Sequence, residues 1–554
     1  MNLKMNLNMK RLVLLFAVLL VAATASAQMK VSGMLTDVNG KPVAGVTVSD
    51  GFTCVQTDAK GRYKMTTSSD AVHIFYSIPS AYKVNVKDGH PDFYVTLDKK
   101  IKKYNFTLTP AEDGGEKQFR LIMVSDPQAQ CPFHVKRFER ETVPDIRAYV
   151  DAQSVPCYGV TLGDMVYTEG KHKTNYLMEP MRKAMSYDNS HLLFFQTIGN
   201  HDFDEPPVSL SKGTSTYNLA YQRAFERVFG PVNYSWNRGD VHIVSMKDYI
   251  ADDNPNKFRY HKEHGNPCFT DEQLEWLRQD LAAVPKDKMV ILCLHIGLYN
   301  RMRKNCDAVR QLIAEFKEAH IMIGHTHFMN HNVNKYGTFE HVHGAASGAF
   351  WWSCVNGDGA PNGYTIYDVD GAHIKNWWYK GTGHDISYQI RMYRGDAEFG
   401  GEFEKFRFPY THDTVLANVF MADASWQVEL YEDGVLTGEM ERIPVTKDSV
   451  PEANSSRDWW AVGYHIGVIG RSYGKVEGES KWNGGGRKGY LTQCNHLYKC
   501  VLKNPDAREI KVVARDSNGN VYEQTHFTES FDYSENELTN RLRLIKRDVL
   551  DKEY

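Results

Sequence analysis

Five short polar motifs in the middle of the sequence contain side chains that commonly bind metal ions. In chain order they are Asp126-Pro127-Gln128, Gly163-Asp164, Gly199-Asn200-His201-Asp202, His295 and Gly324-His325-Thr326-His327. Carboxylate and amide oxygens suit hard divalent cations, and imidazole nitrogen suits Mn, Fe, Zn or Ni. Two cations about 3.5–4 Å apart can lower the pKa of a water molecule and stabilise an in-line displacement. The residue types therefore predict a metal site that could carry out hydrolysis.

The motifs follow short apolar runs that have the character of β-strands. The predicted strands are Phe119–Ser125, Tyr158–Leu162, Leu192–Ile198, Val241–Met246, Met289–Leu294 and Ile321–Ile323. Helices are predicted at Thr216–Phe229, from Thr270, where Gln273 completes a capping box, and at Asp307–Ala319. This alternation predicts an α/β domain, and polar groups at the carboxyl ends of its strands can gather at one site.

Each motif taken alone has a more ordinary structural explanation. An Asp after a strand caps a helix at roughly even odds. A single His at a strand end is more often a hydrogen-bonded structural residue, and Asn200 before His201 could simply form a turn. All five motifs in this order, each placed after a strand, favour one joint site.

The complete pattern resembles the signature of the calcineurin-like metallophosphoesterase family, which runs D-x-H, G-D, G-N-H-[DE], H and G-H-x-H. The resemblance covers residues 118–383, about half of the chain. It implies a four-layer αββα sandwich with two divalent metal ions at one sheet edge. The chain as a whole would be α/β (α+β), with an all-β domain on each side of the sandwich.

The resemblance also implies a role for each motif residue. One metal ion would be held by Asp126 and His327, with Gln128 nearby. The other would be held by Asn200, His295 and His325. Asp164 would bridge the two ions, and His201 would contact the leaving group or a phosphoryl oxygen. The ions would be Mn, Fe, Zn, Ni or Mg.

Two positions depart from the family pattern. Gln128 stands where most members have His, and an amide oxygen is a weaker ligand than imidazole, although a subset of the family also carries D-P-Q. Tyr167 and Thr168 stand where the protein phosphatases of the family carry an acid followed by Arg. The partner that would orient His201 is therefore not identified by the sequence.

The leading interpretation is hydrolysis of phosphate mono- or diesters outside the cytoplasm. The mechanism would be in-line attack by metal-bound hydroxide at a dinuclear centre, with His201 assisting departure of the leaving group. The substrate would be a phosphorylated small molecule, glycan or lipid. The alternative is a catalytically degenerate surface protein that binds glycans or phosphorylated ligands. Gln128 and Tyr167 favour the alternative, and the retained acids, histidines and Asn200 oppose it.

Substrate-facing residues are less well defined by the sequence. Arg301, Arg303 and Lys304 follow His295 closely and could bind a phosphate group. A solvated basic loop is favoured by roughly two to one, because these residues usually lie on the surface. Trp351 and Trp352 could stack on a sugar or a base, but core packing explains them equally well.

The flanking segments are predicted to be β-rich. Residues 28–110 contain turn signals at Asn39-Gly40 and Asp58–Gly61. They resemble the carboxypeptidase-regulatory type of β-module that precedes many secreted bacterial enzymes. A linker rich in Gly and acidic residues follows. Residues 384–554 predict a second β-domain after the central domain at 118–383.

The N-terminus is predicted to be a signal peptide, residues 1–27. Lys4, Lys10 and Arg11 precede an apolar run, Leu12–Ala23, which is too short to span a bilayer. An Ala-Ser-Ala cleavage site at residues 25–27 follows it. We therefore expect an exported protein, periplasmic or at the cell surface, with no transmembrane segment in the mature chain.

Charge and cysteine content add two expectations. The formal net charge is −3 and no basic tract is present, so nucleic-acid binding is not expected. The nine cysteines match no zinc-binding spacing, and their number is odd. Cys494 and Cys500 are the closest pair and a plausible disulfide.

Overall fold

The computed structural model describes residues 28–168, 173–204, 210, 215–251, 269–298, 305–351, 353–397, 410–445, 457–458, 460–461 and 494–529. The described part of the chain forms a small β-domain, a central α/β domain and a second β-domain. The predicted signal peptide lies outside the described residues. No helix among the described residues combines the length and the apolar character needed to cross a bilayer.

The N-terminal domain consists of short strands in two main sheets. The strands are β1 (Lys30–Asp37), β2 (Thr47–Ser49), β3 (Cys54–Gln56), β4 (Arg62–Thr66), β5 (His73–Tyr76), β6 (Val86–Lys87), β7 (His90–Pro91), β8 (Tyr94–Thr96) and β9 (Phe106–Leu108). The sheet orders are β4-β1-β9 and β3-β2-β5-β8, and β6 pairs with β7. The domain packs on the central domain, where the Trp276 indole nitrogen donates to Ser49 Oγ at 2.9 Å.

The central domain contains two sheets, and within each sheet the strands that precede the motifs run parallel. Its strands are β10 (Gln118–Val124), β11 (Cys157–Leu162), β12 (Leu193–Thr197), β13 (Tyr234–Arg238), β14 (Val241–Ser245), β15 (Met289–Cys293), β16 (Glu318–Ile323), β17 (Asn330–Val333), β18 (Phe339–Val342), β19 (Gly363–Asp370) and β20 (Ile374–Gly381). One sheet has the order β12-β11-β10-β19-β20, and the other has the order β13-β14-β15-β16-β18-β17. Strands β10, β11 and β12 run parallel, as do β14, β15, β16 and β18.

Helices cover the outer faces of both central sheets. The first sheet carries Pro132–Arg137, Val143–Asp151, Met178–Ala184, Tyr187–Ser190 and Ser215–Phe229. The second sheet carries Asp271–Leu281 and Cys306–Ile313. Between the sheets, apolar side chains interdigitate; Phe195 stacks on Trp236 with ring centroids 3.8 Å apart. The result is the predicted four-layer αββα sandwich, with the motif-bearing strand ends at one edge.

Two helix predictions have different outcomes. The capping box is confirmed, because Thr270 Oγ1 accepts from the Gln273 amide and Gln273 Oε1 accepts from the Thr270 amide. The predicted helix Asp307–Ala319 is too long. It ends at Ile313, and Ala319 lies in β16 paired with Val290. Local apolar periodicity does not separate the last helical turn from the strand that follows, whereas pairing with β15 does.

The C-terminal domain is a sandwich of two antiparallel sheets. Its strands are β21 (Ile390–Arg394), β22 (Thr414–Val419), β23 (Gln427–Glu432), β24 (Val435–Glu439), β25 (Glu441–Arg442), β26 (Leu497–Val501), β27 (Ile510–Arg515) and β28 (Val521–Gln524). The orders are β21-β22-β26-β25 and β24-β23-β27-β28. Their facing sides form one apolar core that includes Trp426 stacked on Tyr522.

The predicted disulfide between Cys494 and Cys500 is wrong, because both are free thiols. Cys494 is fully buried, with its sulfur 3.3 Å from Nδ1 of His496. Cys500 lies on β26, half-buried and outside that environment. Cys306, at the start of its helix, is disulfide-bonded.

Candidate metal centre

The five motifs converge at the carboxyl ends of β10, β11, β12, β15 and β16. The His325 amide donates to Asp126 Oδ2 at 2.8 Å, across two different sheets. His295 Nε2 lies 3.2 Å from Asp164 Oδ2 and 3.0 Å from Asn200 Oδ1. The side chains predicted to meet therefore do meet, in a group that is largely buried.

One part of this group surrounds Asp126. His327 Nε2 lies 3.2 Å from Asp126 Oδ1, and Ser125 Oγ donates to Asp126 Oδ2. Gln128 is close by, and its Nε2 donates to Asp164 Oδ2 at 2.7 Å. Gln128 Oε1 is buried and has no hydrogen-bond partner among the described residues.

Asp164 lies between the two halves of the group. Its Oδ2 faces Gln128 on one side and His295 on the other, and its Oδ1 accepts from the His201 amide at 2.8 Å. Ligand-type atoms of Asp164, His295 and His325 all lie within 4.8 Å of one another. This central position is the one that a bridging carboxylate would need.

Five candidate ligands have left-handed backbone conformations, which are uncommon outside glycine. The φ angles are 50° at Asp126, 39° at Gln128, 53° at Asp164, 72° at His325 and 57° at His327. Each such residue costs on the order of 1–3 kcal/mol and persists only where its surroundings hold it. Clustering of this strain in one place is typical of a functional site.

Glycine at position 199 permits the close approach of two motifs. A Cβ atom there would lie 2.1 Å from the Asp164 amide nitrogen and 2.2 Å from Asp164 Oδ1. The loop is closed by Asp202, whose carboxylate accepts from the Gly199 amide at 2.9 Å and from the Val166 amide at 3.1 Å. The β11 and β12 loops are therefore packed directly on each other.

The buried acids and histidines shift one another's pKa values in opposite directions. Burial opposes ionisation of Asp164, but His295 and His201 outweigh it and lower the pKa of its carboxyl group. Burial would lower the pKa of His295, yet Asp164 raises it to about 10. Burial and His295 lower the pKa of His325 to about 3. Two buried carboxylates thus require positive charge beside them, from a proton or from a cation.

The donor set fits a pair of divalent cations. Within the described part of the chain no donor reaches the buried amide oxygen of Gln128, and a cation would satisfy it. His295 Nε2 and His325 Nδ1 lie 3.3 Å apart, as two nitrogens directed at a common point do. Carboxylate, amide and imidazole groups together suit Mn, Fe, Zn or Ni. Assignment of each side chain to a particular ion remains a prediction.

His201 is oriented by a partner that the sequence did not identify. Its Nδ1 lies 3.0 Å from the Thr168 carbonyl oxygen, and its ring stacks on Tyr167 with centroids 4.4 Å apart. A carbonyl oxygen can only accept, so Nδ1 carries the proton and Nε2 faces the group of acids and histidines. The orienting group is a backbone atom, which has no sequence signature.

Asp248 is a further buried residue that sequence analysis missed. Its carboxylate accepts from the Gly297 amide at 2.7 Å and lies 3.4 Å from the His295 amide, so it fixes the loop that carries His295. Burial raises the pKa of this carboxyl group. The sequence feature that could have identified Asp248 is its position shortly after the strand Val241–Ser245.

Of the candidate substrate residues, Trp351 falls within the described part of the chain. Arg301, Arg303, Lys304 and Trp352 lie outside the described residues. Trp351 is buried, and its indole nitrogen donates to the Pro127 carbonyl at 2.5 Å. Trp351 therefore supports the Asp126 loop from behind and is a packing residue.

Three family models match successive parts of the chain. Residues 119–329 match the calcineurin-like phosphoesterase model. Residues 29–111 match the model for the N terminal of calcineurin-like phosphoesterase, and residues 340–522 match the model for its C terminal. No curated protein matches the chain.

Solved structures with similar parts include several phosphatases. A dimetal phosphatase from Danio rerio is 13% identical, with 48% of this chain and 97% of that chain covered and a TM-score of 0.32. A purple acid phosphatase from yellow lupin (Lupinus luteus) seeds is 12% identical, with coverage of 60% and 69% and a TM-score of 0.31. A 5'-nucleotidase precursor from Thermus thermophilus is 10% identical, with coverage of 73% and 88% and a TM-score of 0.29.

Proposed function

Because the chain belongs to the calcineurin-like phosphoesterase family, we propose that it is a metal-dependent hydrolase of phosphate mono- or diesters. Members of this family use a dinuclear metal centre. The observation that carries the proposal is the meeting of two buried carboxylates with three histidines, Asn200 and Gln128 at one sheet edge. A purely structural cluster would have little need for strained backbone at five of these residues.

Two groups of side chains would hold the cations. The first consists of Asp126, Gln128 and His327. The second consists of Asn200, His295 and His325. Asp164, which contacts both groups, would be shared. Bound there, a pair of divalent cations would supply Lewis acidity toward phosphoryl oxygens and lower the pKa of a water molecule.

His201 is proposed to assist the leaving group. The proton on its Nδ1 is fixed by the Thr168 carbonyl, and its Nε2 lies 4.0 Å from Asp164 Oδ2 at the partly exposed side of the group. From that position a protonated Nε2 could donate to the departing oxygen of an ester. Stacking on Tyr167 keeps the imidazole plane fixed while it does so.

The test is metal-dependent turnover by the full chain. Protein stripped with a chelator and reloaded separately with Mn, Fe, Zn, Ni or Mg is assayed with p-nitrophenyl phosphate and with bis-p-nitrophenyl phosphate. We expect turnover that depends on added metal, with about two ions bound per chain. Metal-free, inactive protein that binds glycans on an array would instead support the alternative of a degenerate binding protein.

We further propose that the protein is exported and that residues 1–27 are removed. The basic residues, apolar run and Ala-Ser-Ala site at the N-terminus support this. N-terminal sequencing of protein recovered from the native cell envelope or medium should begin near Gln28. Recovery of chains beginning at Met1 from the cytoplasm would contradict export.

A further inference from the structure

The loop of residues 324–329, called here the histidine loop, must be held in a strained shape. It carries His325 and His327, both with left-handed φ angles. At one end, the His325 amide donates to Asp126 Oδ2 at 2.8 Å. His327 itself lies 3.2 Å from Asp126 Oδ1, and the far end of the loop, up to Met329, needs a contact of its own to keep the strained shape.

The second anchor is Asp358, in the connection between β18 and β19. Its Oδ2 accepts from the Met329 amide at 2.7 Å, two residues after His327. The Asp358 side chain is fully buried, and its other oxygen accepts from the Ala360 amide at 3.1 Å. A further donor stabilises this buried carboxylate, and it comes from outside the central domain.

The C-terminal domain supplies this donor, and two of its asparagines form hydrogen bonds beside it. His496, just before β26, places Nε2 3.1 Å from Asp358 Oδ2. Asn418 of β22 donates to the Asp358 carbonyl at 2.8 Å, and its Oδ1 lies 2.8 Å from His496 Nδ1. Asn495 donates to Oδ1 of Asn330, next to the anchored amide. His496, Asn418 and Asp358 are all essentially without exposure, so these bonds are shielded from water.

We infer that the C-terminal β-domain is part of the catalytic apparatus, because His496 holds Asp358, and Asp358 holds the histidine loop in its metal-binding shape. His496 and Asp358 are positioning residues that act through the Met329 amide. The inference rests on the proposed function for its catalytic consequence, whereas the mechanical link stands on the hydrogen bonds alone. It gives the C-terminal domain a role at the metal centre beyond being an attached module.

The experiment compares two substitutions that differ by one methylene group. In His496→Gln the amide nitrogen can reach Asp358 as Nε2 of His496 does, whereas in His496→Asn it cannot. We expect His496→Asn to weaken manganese binding, measured by calorimetry, and to lower kcat about tenfold or more. Loss of a residue that orients metal ligands without touching the metal typically has effects of this size. His496→Gln should stay close to the wild type, and the KM for p-nitrophenyl phosphate should change little in both.

A readout that needs neither metal nor activity tests the mechanical link. Hydrogen–deuterium exchange of the metal-free chain should show faster exchange across residues 324–330 in His496→Asn and wild-type exchange in His496→Gln. Trp426→Leu is the matched control, because it disturbs the apolar core of the same domain without touching Asp358. It should leave exchange in the histidine loop unchanged.

The outcomes separate the two proposals. Equal exchange of the histidine loop in the wild type and in His496→Asn, or equal acceleration in Trp426→Leu, overturns the inference. Accelerated exchange in His496→Asn together with a wild-type chain that neither binds metal nor turns over esters keeps the link and rejects the proposed function. If His496→Asn does not fold, Asp358→Asn keeps the side-chain volume but leaves one oxygen for the Met329, Ala360 and His496 donors, and unchanged exchange of the histidine loop in that variant rejects the inference.

Discussion

Replacement of Asp164 by Asn is expected to abolish most turnover while preserving the fold. The side chain is fully buried and keeps its volume in the variant. Its Oδ1 accepts from the His201 amide at 2.8 Å, and its Oδ2 contacts Gln128 Nε2 at 2.7 Å and His295 Nε2 at 3.2 Å. An amide has only one oxygen, so one of these two sides must face an NH₂ group instead.

The expected loss follows from the contacts at Oδ2. Removal of one preorganised electrostatic contact from an active site typically costs about 2.7–4 kcal/mol of transition-state stabilisation. At about 1.4 kcal/mol per factor of ten, kcat/KM should fall by roughly 10²- to 10³-fold. Loss of the negative charge that two cations would share adds to this effect.

The assay measures kcat/KM with both p-nitrophenyl esters, metal content and circular dichroism on the same preparations. Asp280→Asn is the matched control: Asp280 is also a buried acid, bonded to Ser235 and His242, but it lies on the helix Asp271–Leu281, near the amino end of β14 and away from the motif-bearing strand ends. The control should lose stability and keep its activity, because distant sites act independently. Activity of Asp164→Asn within about tenfold of the wild type would refute the assignment of Asp164 as the shared ligand.

Three further predictions concern a ligand, a close backbone contact and pH. Gln128→His should tighten metal binding at the first site, because imidazole is a stronger ligand than an amide; an unchanged calorimetric titration would show that Gln128 is not a ligand. Gly199→Ala should abolish turnover and lower the melting temperature, since its Cβ would lie 2.1 Å from the Asp164 amide nitrogen; wild-type activity would contradict this packing. Burial lowers the pKa of His73 to about 4, against the opposing hydrogen bond to the Glu226 carbonyl. Below about pH 6.5 only the unfolded chain gains that proton, so stability falls toward pH 4 by at most roughly 3 kcal/mol, and His73→Gln should flatten this decline in urea unfolding curves.

The side chains of the candidate metal centre could be predicted because each one lies in a short local pattern. Asp126, Asp164 and His295 each follow an apolar run long enough to form a buried strand, and the parallel arrangement brings strand ends to one edge. The capping box at Thr270 is equally local, since both partners lie within one helical turn. The types of the residues and their order along the chain are sufficient to predict such features.

Other features could not be predicted, because their partners are distant or belong to the backbone. The orientation of His201 depends on a carbonyl oxygen, and any residue could have supplied one at position 168. Cys494 and Cys500 are close in sequence, but Cys494 is buried beside His496 and Cys500 lies partly exposed on a strand. Proximity along the chain does not determine which way two side chains point.

The sequence by itself determined which atoms are available for metal chemistry and which strands deliver them. Only the tertiary structure decided how those atoms are held. The bond from the His325 amide to Asp126 spans 199 residues, and the link from His496 to Asp358 spans 138. Such contacts form only when separate sheets and domains pack together, and local propensity contains no information about that packing.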